Sequence, residues 1–356
     1  MEQAMMHVDR LMERALREGA FPGAILSVGN RECVVTRNYG VTTTLEGGAP
    51  VNEATIYDIA SLSKLFTATA ALMLLERGEF RLDDQVGRFL PSFAQGDKSE
   101  IRLRHLLTHT SGLPGHNPYF TFVKVKSEML EAIAQTPLQY QTGTQVIYSC
   151  VGFITLANVI ETISGQSLDA FLRDNLFEPM GMQTTCYGPL QQPRERIAPT
   201  EDCSWRGRLA WGEVHDENAF AQGGVSGNAG LFSTGPDLSL FAQMMLRQGA
   251  SESGRRILSP ATIRAATRSY TPGLAENRGL GWQMRSNEYP WCGDLAPAYS
   301  YGHTGFTGTS LWVSPDDDLF VVFLTNRVHP TRANTQHIRY RPLIHNLLIA
   351  NLARGE

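Results

Sequence analysis

The run Leu319 to Leu324 is apolar at every position and rich in β-branched and aromatic residues, so it predicts a strand covered on both faces. Two shorter β-rich runs, Ala24 to Val28 and Cys33 to Tyr39, lie near the amino terminus and are joined by a predicted turn at 29–32. Further strands are predicted late in the chain, at Leu280 to Arg285, Tyr299 to His303 and Ser310 to Val313. A sheet built from these runs uses both ends of the chain.

Helical periodicity flanks the predicted strands at both termini. Residues 3–18 repeat apolar side chains at helical spacing, and a helix that aligns Ile344 with Leu348 ends the chain. We therefore expect an α/β fold in which N- and C-terminal helices flank the sheet. Its discontinuous α/β lobe is predicted to comprise residues 1–80 and 250–356.

The central part of the chain, residues 81–249, is predicted as an inserted and mainly helical lobe. Within it, residues 186–236 are rich in glycine, asparagine, serine and charge and show no sustained period. A segment of this kind is usually a functional loop or a disordered one. The polar cluster Gly212 to Asn218 suggests a folded loop over a cleft, and a solvated surface loop is the equally open alternative. A cleft between lobes is the default place for a site.

Charge and hydropathy exclude several classes of function. The formal net charge is −4 and no block of basic residues occurs, so we expect no nucleic-acid partner. No apolar run is long enough for a transmembrane segment, and the amino terminus lacks the sections of a signal peptide. We therefore expect a cytoplasmic protein, with a trimmed form of a secreted or periplasmic protein as the open alternative.

Cysteine and histidine spacing gives no support for a metal centre. The five cysteines are odd in number and far apart, which argues against a disulfide framework and a structural zinc site. His105 and His109 are four residues apart in a predicted helix that ends at Gly112, but the glutamate of a His-Glu-x-x-His motif and a third ligand are missing. We interpret both histidines as structural and expect no metal and no cofactor.

Catalytic chemistry is predicted at Ser61-Leu62-Ser63-Lys64, at the start of an apolar helical run that reaches about Leu75. A serine and a lysine three residues apart share one face of a helix, so the amine can approach the hydroxyl. Unpaired N–H groups at a helix start favour a developing anion. The run predicts a helix with one buried side, and burial would lower the pKa of Lys64 and let it act as a base.

Two further short motifs follow in order, Tyr148-Ser149-Cys150 and His303-Thr304-Gly305, the second on a late predicted strand. The segments Leu106 to Leu113 and Leu176 to Met182 accompany them. With this ordered set, nearly the whole chain resembles the serine β-lactamase and penicillin-binding-protein superfamily. The resemblance is to the class C-like branch, which includes D-Ala-D-Ala carboxypeptidases, D-aminopeptidases and family VIII carboxylesterases. The loop at 212–234 is similar to that of penicillin-binding protein 4B-type relatives.

The resemblance implies a β-lactamase/transpeptidase-like fold with an antiparallel sheet, and acyl transfer through a covalent intermediate. It makes Ser61 the nucleophile, with Lys64 and Tyr148 as the coupled base and acid. The oxyanion hole would consist of the backbone N–H groups of Ser61 and Phe306. The remaining expected substrate-binding positions are Cys150, His303, Thr304 and Gly305.

Two positions depart from the family pattern. His303 stands where penicillin-recognising members usually carry lysine, and a mostly neutral imidazole anchors a carboxylate less strongly than a permanent cation does. Cys150 stands where asparagine is often found, and a thiol cannot hold a substrate amide as a carboxamide does. Both changes point away from efficient β-lactam hydrolysis and leave acyl transfer intact. Cys150 is also a second, less favoured candidate nucleophile.

These residues are compatible with three functions. The favoured one is a serine hydrolase that forms an acyl-enzyme at Ser61 on a small ester, amide or D-amino-acid peptide, with peptidoglycan fragments and β-lactams as candidate partners. The alternative is a peptidoglycan- or β-lactam-binding protein that is acylated but barely turns over. An interaction module, the third, would leave the ordered motifs unexplained. The sequence identifies no residue that would activate a deacylating water.

Overall fold

The computed structural model describes residues 2–286 and 291–352. The helices are α1 (Glu2–Arg17), α2 (Ser63–Glu76), α3 (Leu103–Leu107), α4 (Lys126–Gln135), α5 (Cys150–Ser164), α6 (Leu168–Leu172), α7 (Glu178–Met180), α8 (Glu217–Ala221), α9 (Gly235–Leu246), α10 (Pro260–Ala266) and α11 (His337–Leu352). The strands are β1 (Gly23–Gly29), β2 (Val34–Gly40), β3 (Tyr57–Asp58), β4 (Cys186–Tyr187), β5 (Asp202–Cys203), β6 (Arg208–Leu209), β7 (Leu231–Ser233), β8 (Gln283–Met284), β9 (Tyr301–Thr304), β10 (Ser310–Ser314) and β11 (Leu319–Thr325).

Strands from both ends of the chain form one antiparallel sheet in the order β2-β1-β11-β10-β9-β8. The apolar run that opened the sequence analysis is β11, which lies between β1 and β10 and is buried at all seven positions. Its register places Phe323 opposite Leu26 of β1. The predicted central strand and the predicted hairpin of β1 and β2 are therefore confirmed.

Helices cover both faces of this sheet. The terminal helices α1 and α11 contact each other on one face, where Val321 and Phe323 of β11 join a core with Met12 and Ile344. On the other face α9 contacts β1, β10 and β11. The neighbouring β11 residues Val322 and Leu324 belong to the larger core on that side. Successive β11 side chains thus alternate between two cores, as the pleat of a strand requires.

Helix α2 is buried on all sides, whereas the sequence predicted one buried side. All residues from Ser63 to Leu74 are buried, because α5 and α6 pack beside α2 and α10 also contacts it. Its two threonines are satisfied within the protein, since the Thr67 hydroxyl donates to Gly227 O at 2.9 Å and the Thr69 hydroxyl to Leu65 O at 2.8 Å. A helix that is surrounded by protein needs no exposed polar stripe.

Two elements are shorter than predicted. The helix expected to reach Gly112 ends at Leu107, and His109 has a φ of 59°, a left-handed conformation that cannot continue a helix. The strand expected from Leu280 to Arg285 is reduced to β8. Gly281 has a φ of 83°, and a Cβ there would lie 2.3 Å from the Ala68 side chain, so the chain turns closely against α2 at this point.

The segment 186–236 is folded, and it pairs with the strand that leads to Ser61. Strand β7 pairs with β3, which precedes Ser61 in the chain, and with β4. This supports the folded-loop interpretation over the solvated one. The division into two lobes stays a prediction, and α9, which the prediction assigned to the helical lobe, packs on the sheet. None of the described helices has the length and apolarity to cross a membrane.

The central position of β11 predicts a large stability effect at Leu324, which is fully buried. We expect Leu324→Ala to lower the free energy of unfolding by ~2–5 kcal/mol, because it removes buried carbons and leaves a cavity. Val34→Ala, at an exposed position of edge strand β2, is the control and should change it by less than ~0.5 kcal/mol. Urea denaturation measures both values, and equal losses would contradict the central placement of β11.

Candidate active site

Ser61 lies in a 3₁₀ turn, Ala60–Leu62, that leads into α2. Ala60 has a φ of 47°, which is uncommon for a residue with a Cβ atom. Such a conformation persists only where the surrounding structure holds it, and it is frequent at functional sites. The contacts that hold this turn are therefore part of the site.

The buried carboxylate of Asp58 holds the turn from one side. Its Oδ1 accepts the backbone N–H of Ala60 at 2.8 Å, and its Oδ2 accepts the backbone N–H of His215 at 2.7 Å. Burial raises the pKa of Asp58, and the His215 and Ala60 N–H groups oppose that rise by stabilising the ionised form. One side chain thus ties the turn that contains Ser61 to the 186–236 segment.

The residues after the third motif hold the same turn from the other side. The Thr307 hydroxyl donates to Asp58 O at 2.7 Å, and the Thr309 hydroxyl donates to Ile59 O at 3.0 Å. A Cβ at Gly305 would lie 2.0 Å from the Thr309 hydroxyl oxygen and 2.7 Å from Ile59 O. Glycine is therefore required in the motif because the two backbone segments approach each other closely.

Lys64 is fully buried and makes three contacts. Its Nζ donates to Ser61 Oγ at 3.1 Å, to Asn228 O at 2.8 Å and to Cys150 Sγ at 3.5 Å. The prediction of a lowered pKa for Lys64 is wrong. Burial lowers it, but the electrostatic interactions with Cys150 and Tyr148 together raise it by more, so the net direction is upward. Lys64 is consequently an ammonium group in the resting site.

Tyr148 lies beside this ammonium group, with its ring centroid 4.9 Å from Lys64 Nζ. Burial raises the pKa of Tyr148, while the nearby Lys64 and Ser61 lower it. Its hydroxyl makes no well-aligned hydrogen bond with any described residue. Both members of the pair thus hold their protons at rest. Loss of one proton from the pair would leave a base next to the Ser61 hydroxyl.

His109 positions the segment that carries Tyr148. Its Nδ1 accepts the backbone N–H of Ser149 at 2.9 Å, and its ring lies 4.7 Å from the Tyr148 ring between centroids. Its carbonyl oxygen accepts the backbone N–H of Ile147 at 3.0 Å. The left-handed conformation that ends α3 at His109 thus presents both its ring and its carbonyl to the second motif.

His303 is buried and neutral. Its Nδ1 lies 2.8 Å from Thr304 O, so Nδ1 carries the ring hydrogen. Burial and the positive charge of Arg278 hold the pKa of His303 well below its ordinary value. A neutral imidazole at this position agrees with the expectation drawn from the sequence, and it cannot act as a cationic anchor.

Arg278 supplies a permanent cation that sequence reasoning missed, because it lies outside the motifs. Its guanidinium carbon lies 5.5 Å from the Tyr148 ring centroid, and the residue is only 4% exposed. It forms an ion pair with Glu276, and its Nη1 is buried without a hydrogen-bond partner among the described residues. Arg278 therefore places a positive charge beside the third motif.

A cavity of about 810 Å³ brings the predicted positions together. It is lined by seven of them: Ser61, Tyr148, Cys150, His303, Thr304, Gly305 and Phe306. Lys64 lies behind Ser61 and does not line the cavity. The wall also includes His215, Asp216 and Glu217, from the polar cluster that suggested a loop over a cleft. That cluster was the one sequence signal for this side of the site.

The two bonds to Asp58 predict a local effect of its substitution. In Asp58→Asn, the amide nitrogen cannot accept a hydrogen bond, so the N–H of either Ala60 or His215 loses its partner at a cost of ~1–3 kcal/mol. We expect amide exchange in peptides covering 57–62 or 211–217 to accelerate about tenfold or more, measured by mass spectrometry.

Asp237→Asn is the matched control for this substitution, because Asp237 is a buried carboxylate that accepts the N–H groups of Thr184 and Thr185. Both of these bonds end on Asp237 Oδ2, which the amide oxygen of asparagine can replace, so exchange at Thr184, at Thr185 and in 57–62 should stay unchanged. Unchanged exchange around Ala60 and His215 in Asp58→Asn would contradict the role given to Asp58.

Comparison with known proteins agrees with this geometry. The family model described as Beta-lactamase matches residues 8–345. The chain is 30% identical to an Escherichia coli protein named as a D-alanyl-D-alanine carboxypeptidase, over 94% of this chain and 86% of that protein. It is 32% identical to a Bacillus subtilis N-acetylmuramyl-L-alanine amidase, over 90% and 80% of the two chains.

The fold also matches solved structures. That of EstCE1, a hydrolase with promiscuous acyltransferase activity, superposes with a TM-score of 0.77 at 21% identity and covers 98% of both chains. Fold, motif order and sequence relatives thus agree over nearly the whole chain. The chain belongs to the β-lactamase family, a family of serine hydrolases related to the penicillin-binding proteins.

Proposed function

We propose that this protein is a serine hydrolase that forms an acyl-enzyme at Ser61 on a small ester, amide or D-amino-acid peptide. The observation that carries the proposal is the 3.1 Å contact between Ser61 Oγ and Lys64 Nζ, with Tyr148 beside the same nitrogen. Nucleophile and Tyr148 face a cavity of about 810 Å³, which is large enough for a small substrate.

In the acylation step, the Lys64 and Tyr148 pair takes the proton of the Ser61 hydroxyl after the pair has lost one proton of its own. The oxygen of Ser61 attacks the substrate carbonyl carbon, and the pair returns the proton to the leaving alcohol or amine. Because both groups hold their protons at rest, we expect this step to become faster as the pH rises.

The developing oxyanion would be bound by the backbone N–H groups of Ser61 and Phe306. This assignment is supported by the close contact of the two segments, since Thr307 and Thr309 bind the carbonyl groups of Asp58 and Ile59. Hydrogen-bond donors that already point at the position of the oxyanion need not reorient as its charge develops. Removal of one such donor typically lowers the rate by ~10²–10³.

Arg278 on the cavity wall favours substrates that carry a carboxylate, because an arginine guanidinium matches the geometry of a carboxylate. The names of the two sequence relatives refer to amide bonds in peptidoglycan-type compounds. We therefore infer that the substrate is an amide of that class with a free carboxylate. Cys150, a weak donor and acceptor, offers little recognition of a neighbouring amide.

The proposal predicts the effect of three substitutions on hydrolysis of a short-chain nitrophenyl ester. Ser61→Ala should abolish turnover, whereas Lys64→Met and Tyr148→Phe should each lower the acylation rate by ~10²–10⁴. Ser63→Ala is the matched control, because the Ser63 hydroxyl accepts the Leu231 N–H at 3.2 Å and has no part in the reaction. It should retain most of the activity.

Intact-mass measurement after exposure to the ester or to a fluorescent penicillin separates the competing functions. Turnover or adduct formation that survives Ser61→Ala would overturn the proposal. A persistent penicillin adduct in the native protein, without ester turnover, would instead favour a binding protein that is acylated and barely turns over.

A further inference from the structure

His215 and Glu201 form a histidine–carboxylate pair on the wall of the same cavity. The Nε2 atom of His215 lies 3.0 Å from Glu201 Oε2, and His215 is 5% exposed. Its ring stacks on Phe306, with 5.6 Å between centroids and 23° between planes. Its backbone N–H binds Asp58, the residue that also holds the Ser61 turn. His215 is thus fixed relative to both the nucleophile and the third motif.

Glu201 determines which ring nitrogen of His215 can accept a proton. Burial alone would raise the pKa of Glu201, but hydrogen bonds from His215 and Arg332 outweigh burial and lower it to about 2. An ionised carboxylate only accepts hydrogen bonds, so the hydrogen of the neutral imidazole lies on Nε2 and the lone pair on Nδ1. A carboxylate that orients an imidazole in this way is a recurring feature of sites with a histidine base.

Arg332 holds this carboxylate in place. Its Nε donates to Glu201 Oε2 at 2.6 Å, and its backbone N–H donates to Glu201 Oε1 at 3.1 Å. Its Nη2 also donates to Glu217 Oε1 at 2.6 Å. Glu201 therefore has fixed donors on both oxygens, and the orientation of the His215 ring is fixed with it.

Hydrolysis of an acyl-enzyme needs a base for the incoming water, and the cavity wall offers candidates besides the Lys64 and Tyr148 pair. The carboxylates on the described cavity wall are occupied by structural contacts. Asp216 caps α8 by accepting the Ala219 N–H at 2.8 Å, Glu217 pairs with Arg332, and Glu276 pairs with Arg278. Among the described residues, the Nδ1 atom of His215 has no hydrogen-bond partner, because the ring bonds to Glu201 through Nε2.

We propose that His215 is the general base that activates the deacylating water, with Glu201 as its positioning residue. This inference rests on the proposed acyl-enzyme at Ser61. Water gives a proton to His215 Nδ1 as its oxygen bonds to the acyl carbon, and the resulting oxyanion lies at the Ser61 and Phe306 N–H groups. The bond between the acyl carbon and Ser61 Oγ then breaks.

The proton balance of this step closes through the Lys64 and Tyr148 pair. The pair, which lost one proton to solvent before acylation, gives its remaining proton to Ser61 Oγ as the carboxylic acid product leaves. The proton held by His215 is lost to solvent, and the pair regains one from solvent. The net change is the addition of one water across the acyl bond, and no oxidant, metal or cofactor takes part.

The test is pre-steady-state hydrolysis of a nitrophenyl ester, with intact-mass measurement of the quenched enzyme. In His215→Gln we expect the acylation rate to stay within ~3-fold of the native rate and the deacylation rate to fall ~10²–10⁴-fold. The variant should then show a burst of one nitrophenolate per enzyme and accumulate the acyl form. Glu201→Gln should slow deacylation by a smaller factor.

Two further substitutions serve as matched controls. His116→Gln replaces another histidine of the same cavity wall, one that pairs with no carboxylate among the described residues, and should not accumulate acyl-enzyme. Asp216→Asn preserves the cap of α8, since asparagine is also a good N-cap residue, and removes the charge. Accumulation in Asp216→Asn but not in His215→Gln would overturn the assignment in favour of Asp216.

Chemical rescue separates a catalytic role from a structural one. In His215→Ala, added imidazole should restore the deacylation rate at least tenfold, because the ring then acts as a free base in the vacated space. Deacylation at the native rate in His215→Gln, or slow deacylation in His215→Ala that imidazole leaves unchanged, would overturn the role of His215 alone. Absence of a Ser61 adduct in every variant and in the native protein would overturn the proposed function as well.

Discussion

The arrangement of the site depends on the carboxylate of Asp58. It accepts one hydrogen bond from the turn that presents Ser61 and one from the 186–236 segment, and it does so in a buried setting where an unpaired group is costly. Thr307 and Thr309, which follow the third motif, hold the same turn from the other side. The left-handed conformation of Ala60, next to Ser61, is consistent with a turn that is held from both sides.

Burial of this site also determines its protonation. Lys64 lies on a helix that is surrounded by protein, where a lone ammonium group would lose its proton. The Cys150 thiol and the Tyr148 phenol reverse that tendency, so the resting pair keeps its protons. The 186–236 segment brings His215, the proposed base for the water step, to the cavity. The proposed nucleophile, proton pair and water base thus come from three separate parts of the chain.

Much of this architecture follows from local patterns in the sequence. The apolar run of β11, the early hairpin and the terminal helices are each marked by periodicity, and the order of three short motifs indicated the fold and the positions that line the cavity. What local patterns cannot give is contact between distant residues. The Asp58 to His215 bond spans 157 residues and the Glu201 to Arg332 bond spans 131. The direction of the Lys64 pKa and the presence of Arg278 in the cavity depend on contacts of the same kind.

The most direct test of the central claim is to identify the acylated atom in the native protein. A nitrophenyl ester would be added, the reaction quenched in acid at the end of the burst, and the digested protein sequenced by tandem mass spectrometry. The account predicts that the acyl group is on Ser61, in the peptide that contains Lys64. An acyl group on Cys150, 3.5 Å from the same lysine nitrogen, would contradict it.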